Sequence, residues 1–198
     1  MKLYDFDISG NCYKVRLLLN LLGTDYERVP VDLFGGEHKT EAYLAINPKG
    51  QVPALADGDI VVSDSQAILV YLAKKLGADQ FWPDDGLTQA QITYWLCTAA
   101  NDVVQGPGAA RLAKKFNFDI DYEAAQARAH ALFAVIEAHL QNRQFLVGAE
   151  PTLADIAMFP YIGLCGEGEL SLADYPNIQA WLSRIKALPN FIAMPGID

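Results

Sequence analysis

"KLYDFDISGNCYKVRLLLNLLG", Lys2 to Gly23, decides how the first part of this chain is read. It opens on a short strand-like run, Lys2 to Phe6, and closes on a helix. Val15, Leu18, Leu19 and Leu22 recur at i, i+3, i+4 and i+7, which sets them on one helical face, and Gly23 stands where a C-terminal cap belongs. Between the two lie Ser9, Gly10, Asn11 and Cys12, small or polar residues at the mouth of an apolar helix. Serine is common at such a place simply as an N-cap. A hydroxyl, an amide and a thiol at a helix N-terminus also suit chemistry on an anion.

Outward from this stretch, "YERVPVDL" (Tyr26 to Leu33) reads as a second strand whose Pro30 fits an edge or a bulge. "KTEAYLAI" (Lys39 to Ile46) is a short helix ended by Asn47-Pro48. "VPAL" and "IVVS" flank Asp57-Gly58-Asp59, a hairpin turn. Ser65 to Leu76 carries Ile68, Tyr71, Leu72 and Lys75 on one face and ends before Gly77. The order is β-α-β, a connecting helix, then β-β-α. A βαβ unit wants parallel strands with a right-handed crossover, and the hairpin adds an antiparallel pair. The expected result is a four-stranded mixed sheet with helices on both faces, a thioredoxin-like arrangement over residues 1–77, with Val61 and Val62 in its core.

"ADQFWPDDG" (Ala78 to Gly86) interrupts the pattern with Pro, Gly and acids and reads as a linker over 78–86. Beyond it strand signals nearly vanish. Leu87 to Val104 and Tyr122 to Leu146 are long helical stretches. Thr152-Leu153-Ala154-Asp155 is a capping box, a hydroxyl at N-cap and a carboxylate three residues on, opening a helix towards Leu164. Ile178 to Leu188 is another helix, between Pro176 and Pro189. The chain is therefore expected to be α/β followed by an all-helical domain over 87–198.

With 198 residues, 52% of them hydrophobic, the chain can build one good-sized core or two small ones. A net charge of −9 without any basic run argues against a nucleic-acid surface. No stretch approaches the roughly 18 apolar residues of a membrane span, and acids stand where a signal peptide would be apolar. Cys12, Cys97 and Cys165 are few, odd in number and far apart, which speaks against a disulfide framework and for a reducing, cytoplasmic setting.

"SGNCYKVR" (from Ser9), "NPKGQVPAL" (from Asn47), "DSQAILVYLAKKL" (from Asp64) and "TLADIA" (from Thr152) together resemble the cytosolic glutathione transferases, of the serine-using bacterial, phi, theta and zeta-like branch. The resemblance covers essentially the whole chain. It implies a thioredoxin-like domain joined to a helical one, a homodimer, glutathione as co-substrate without a metal, and a small hydrophobic electrophile as acceptor. On that likeness Ser9 would stabilise the glutathione thiolate, with Asn11 as a second donor. Val52-Pro53 matches the family's cis-proline, whose preceding backbone would pair with the tripeptide. Asp64 would face the γ-glutamyl ammonium and Ser65 its carboxylate, Asp64 standing where the family more often has Glu. His38 and Lys39 match contacts to the glycine carboxylate, and Gln51 a side chain that binds the tripeptide backbone. Asn101 and Arg111, near the end of the first long helix and in the loop beyond, are candidates for the acceptor pocket.

Each position also has a plainer reading. Ser9 and Asn11 could be caps, and Arg111 part of a solvated face. Ser9-Gly10-Asn11-Cys12 looks like a C-x-x-C motif lacking its first cysteine, so a thiol–disulfide oxidoreductase working through Cys12 is the first rival. Cys12 nevertheless continues the apolar stripe of Val15 and Leu19, where a thiol is usually inert. A non-catalytic relative is the second rival. Cys97 and Cys165 read as packing residues. His130 and His139, nine apart, do not share a face at metal-pair spacing and read as solvated.

Overall fold

Strands β1 (Lys2–Asp5), β2 (Glu27–Pro30), β3 (Ala54–Asp57) and β4 (Ile60–Ser63) form one sheet in the order β2-β1-β3-β4. The computed structural model describes residues 1–198. β1 and β2 run parallel from Lys2↔Glu27 to Asp5↔Pro30, and β3 is antiparallel to β1 and to β4. β2 is an edge strand, which is why Pro30, with no N–H to give, is accommodated there. Helix α1 (Gly10–Leu21) is the crossover between β1 and β2, and Gly23 behind it is left-handed, with φ +60°.

Strand alternation puts helices on both faces. Leu3 points into the core that α1 and α3 (Ser65–Lys75) cover. Its neighbour Tyr4 points the other way, edge-on to Tyr43 of α2 (Glu41–Leu44). Asp5 is buried and binds two cations, Arg16 Nη1 of α1 at 2.5 Å and Arg28 Nε of β2 at 2.7 Å, so it ties three elements together. Losing either partner would leave a buried charge poorly compensated.

The rest of the chain is helical: α4 (Gly86–Ala100), α5 (Ala109–Phe116), α6 (Tyr122–Leu140), α7 (Leu153–Gly163) and α8 (Pro176–Lys186). Helix α7 is apolar nearly all round because it is enclosed, touching α1, α4 and α8. Its capping box is present. The Thr152 amide donates to Asp155 Oδ2 at 2.8 Å, and Thr152 Oγ1 accepts from the Ala154 amide at 3.3 Å. Asp155 Oδ1 also accepts from the Leu146 amide and from Trp181 Nε1, both at 2.9 Å. The motif is thus a buried staple joining α7, α8 and the loop before them. One contiguous apolar core runs from Leu3 in β1 to Ile185 in α8, so the thioredoxin-like part and the helical part are welded together.

The structure corrects several expectations. The chain beyond Val104, where Arg111 is expected in a loop, is helical. Val104–Gly108 forms a π-helical turn that runs into α5, so Arg111 lies on a helix. A Cβ on Gly106 would stand 3.0 Å from the Ala129 amide nitrogen of α6, so the glycine serves close packing. The next helix stops at Leu140, six residues earlier than its apolar run, because Phe145, Leu146 and Val147 are buried as loop residues. Val61 is 46% exposed and Val62 half-buried, since β4 is an edge with one open face. Cys97 faces outward, whereas Cys165 is buried. The two histidines are half-buried and partnered: His130 meets the Tyr175 hydroxyl at 3.1 Å and His139 the Leu146 carbonyl at 2.8 Å.

Candidate functional site

Sheet topology brings three loops to one end. Tyr4 near the end of β1 pairs with Ala54 at the start of β3, which pairs with Ser63 at the end of β4. The chain therefore enters α1, enters β3 and enters α3 side by side. They border a cavity of about 920 Å³ whose other wall is the helical part.

Ser9 is the N-cap of α1 and its Oγ accepts from the Cys12 amide at 3.3 Å. A hydroxyl has one proton to give as well as lone pairs to receive with. Ser9 borders the cavity, so its hydroxyl is placed to donate to a group bound there. Asn11 also borders it. Its Oδ1 accepts from Lys14 Nζ at 2.9 Å and lies 3.4 Å from Ser65 Oγ. With the oxygen held from behind, the amide nitrogen is the end left for a ligand.

Lys14 was not foreseen as part of this site. It is fully buried beneath the first turn of α1, and burial pushes its ammonium down from 10.5 to about 7, against the opposing pull of Asp64. A lysine inside an otherwise apolar helical run was the available signal.

At the start of α3, Asp64 adopts φ +77°, a left-handed backbone unusual for a non-glycine residue. Its Oδ1 caps the helix, accepting from the Gln66 amide at 2.9 Å and the Ala67 amide at 3.3 Å. Ser65 is buried, its hydroxyl 2.5 Å from the Gln66 side-chain amide. The Val52-Pro53 peptide is cis. The loop ahead of it is pinned by its Gln51 carbonyl, which accepts from Tyr43 Oη at 2.8 Å and Asn47 Nδ2 at 2.7 Å. His38 and Lys39 come from a 3₁₀ turn over Glu37–Lys39, and Lys39 Nζ lies 3.5 Å from the Gly50 carbonyl. His38 Nδ1 is buried without a partner. Ser9, Asn11, His38, Lys39, Gln51, Val52, Pro53, Asp64 and Ser65 all border the one cavity.

The acceptor candidates divide. Asn101 is exposed and does not reach the cavity; its Oδ1 accepts from Gln105 Nε2 at 2.6 Å. Ala100 and Val104 hold that wall, and a one-residue step turns the side chain about 100° round the helix. Arg111 does border the cavity and is buried, its Nε donating to Glu167 Oε2 at 2.5 Å. Leu112, Phe116 and Tyr161 complete this side. Phe34, from the loop after β2, bridges the two walls by packing between Phe6 and Phe116.

Tyr161 of α7 is the other residue the sequence did not announce. Its ring lies over Gly10 so closely that a Cβ there would come within 2.9 Å of Cζ, so any larger residue would force the ring to move. Burial pushes its phenol up to about 12, with Arg111 pulling the other way. Cys12 is fully buried, and its thiol is raised to about 12 by burial and then by Asp5. Such a thiol makes a poor nucleophile.

Comparison with known proteins agrees with this geometry. A model of the glutathione S-transferase N-terminal domain matches residues 3–79, and one of the C-terminal domain matches residues 107–189. The chain belongs to the glutathione S-transferase family. Among relatives, it is 34% identical to "Glutathione S-transferase 3" of Zea mays, over 96% of this chain and 91% of that one. It is 37% identical to a zeta-class glutathione S-transferase of Euphorbia esula, over 98% and 90%. The crystal structure of a glutathione S-transferase from Pseudomonas fluorescens Pf-5 superposes with a TM-score of 0.93 at 35% identity, covering 98% of both chains. The fold is thus the glutathione S-transferase one, a thioredoxin-like domain followed by a helical domain. No helix in it is long and apolar enough to cross a membrane.

Proposed function

We propose that the protein binds glutathione against the thioredoxin-like wall of the cavity and holds its thiol as thiolate, for attack on a small hydrophobic electrophile seated against the helical wall. The observation that carries this reading is the Ser9 hydroxyl. Its oxygen accepts from the Cys12 amide, and the hydroxyl, with one proton to give, borders the cavity that Asp64, Ser65 and Val52 also border.

A free thiol has a pKa of about 8.5, so at neutral pH little of it is the nucleophilic thiolate. Ser9 is far too weak a base to remove the proton. Its role is to donate a hydrogen bond to the sulfur anion once the proton has left to solvent, with the N-terminal dipole of α1 adding to it. Asn11, its amide oxygen held by Lys14, offers a second donor from the nitrogen. Asp64 pairs with the γ-glutamyl ammonium, and the Ser65 hydroxyl and amide receive the adjacent carboxylate at the start of α3. The Val52 backbone pairs with the cysteinyl unit, Gln51 flanks it, and Lys39 with His38 takes the glycine carboxylate. The apolar groups of the helical wall, Leu112 and Phe116 among them, suit an apolar acceptor. A homodimer in the cytoplasm is the assembly and setting that go with this reading.

The test is turnover and binding together. Wild type is expected to bind glutathione by calorimetry and to conjugate it to an activated aryl halide. Ser9→Ala should keep most of the binding and lose about 10- to 100-fold in kcat, the worth of one hydrogen bond to a charged group. Unchanged kcat in Ser9→Ala, or activity lost in Cys12→Ser instead, would overturn the assignment.

A further inference from the structure

The helical wall is apolar except at Arg111 and the Tyr161 hydroxyl. Arg111 is almost wholly buried there, and its guanidinium is only partly used. Nε donates to Glu167 Oε2 at 2.5 Å, which fastens α5 to the 3₁₀ turn over Cys165–Gly168. Nη2 is buried with no hydrogen-bond partner at all. Leaving a charged donor unmatched in a dry site is costly, so an unmatched one beside a ligand cavity needs an account.

Charge makes the same point. Glu167 is shared, Arg111 on one oxygen and Lys115 on the other, so the three side chains carry one net positive charge. The face of the guanidinium is covered by the Phe116 ring, 5.2 Å from its Cζ. On the cavity side stands Tyr161, whose hydroxyl feels the Arg111 charge. A structural role for Arg111 explains Nε and the aromatic contact. It does not explain Nη2, the surplus charge, or why both polar groups border the acceptor side.

We propose that Arg111 and Tyr161 form a subsite for an anionic oxygen group, a carboxylate, on the electrophile, so that the acceptors this enzyme handles best are acids rather than neutral hydrocarbons. This rests on the glutathione transferase reading of the same cavity. A carboxylate there would take up the unpartnered Nη2 and balance the surplus charge. The Tyr161 O–H would donate to its second oxygen. The reacting carbon would then lie between this anchor and the α1 N-terminus, against which Tyr161 is packed.

The experiment uses two chemically prepared conjugates, S-(4-carboxy-2-nitrophenyl)glutathione and its methyl ester on the aryl carboxyl, together with glutathione itself. Binding of all three to wild type, Arg111→Met and Arg111→Lys is measured by calorimetry. The acid is expected to bind wild type about tenfold or more tighter than the ester, the range for a charge-assisted hydrogen bond. That ratio should collapse towards one in Arg111→Met and recover in part in Arg111→Lys, with glutathione binding serving as the check that each variant is folded. Glutathione bound with no preference for the acid in wild type overturns the subsite alone. So does a preference that survives Arg111→Met. Failure of wild type to bind any of the three overturns the glutathione reading and the subsite with it.

Discussion

Replacing Lys14 by Met removes a fully buried charge, and the consequence should depend on pH in a way that can be calculated. In the folded chain the Lys14 ammonium titrates near 7, because burial disfavours the charge; its ordinary value is 10.5. Between those values the unfolded chain holds a proton that the folded chain has released. Stability therefore rises with pH across this window, by about 1.4 kcal/mol per pH unit for one proton. Below pH 7 both states are charged and the full penalty of burial stands, about 5 kcal/mol from a shift of this size. Above 10.5 both are neutral and the penalty is gone. Methionine, similar in length and uncharged, carries none of this dependence. The assay is urea unfolding of wild type and Lys14→Met at pH 6.5 and pH 9. The stability advantage of the variant over wild type should shrink by about 2–3 kcal/mol from the lower pH to the higher. Taking the difference of differences cancels the titrating groups that do not interact with Lys14. A change below about 0.5 kcal/mol, or one of opposite sign, would refute the claim that a desolvated cation supports Asn11 from beneath.

Three further outcomes are expected. Asp64→Asn keeps a capping side chain that tolerates positive φ, so stability should move by less than about 0.5 kcal/mol, while glutathione affinity falls about tenfold in a calorimetric titration. Equal affinity would remove Asp64 from the binding role. Asp155→Ala leaves the Leu146 and Thr152 amides and Trp181 Nε1 without their acceptor and should cost about 3–5 kcal/mol in denaturant unfolding; a loss under 1 kcal/mol would contradict the staple. In the native protein a disulfide reagent should label Cys97 quickly, with buried Cys12 and Cys165 reacting only on unfolding. Fast labelling of Cys12 that glutathione suppresses would revive the oxidoreductase alternative.

Local signals in the sequence were strong wherever one residue type has one physical use. Gly23 and Gly58 lie in left-handed turns as their positions implied, Pro30 sits on the edge strand, and Thr152 with Asp155 caps α7. Ser9, the Val52-Pro53 pair and Asp64-Ser65 were legible because each begins an element that the topology brings to the same edge. The helical wall was not legible. Gly106-Pro107-Gly108 normally breaks a helix, but here a π turn absorbs the proline and Gly106 lets α6 approach. That hid α5 and put Arg111 in a supposed loop. Asn101 was misplaced for a different reason: helix phase decides which neighbour faces inward. Lys14 left one local sign, a lysine in an apolar helical run, but its role, like that of Tyr161, lies in contacts across the interface between α1 and α7, which no local pattern encodes.

The central claim is that Ser9 holds the glutathione sulfur as an anion. The most direct measurement is an ultraviolet titration of thiolate formation on protein-bound glutathione, in wild type and in Ser9→Ala. A bound thiol lying about one to two pH units below the free value of about 8.5, and returning towards it in Ser9→Ala, is the predicted result. A bound thiol that titrates identically in the two proteins would contradict it.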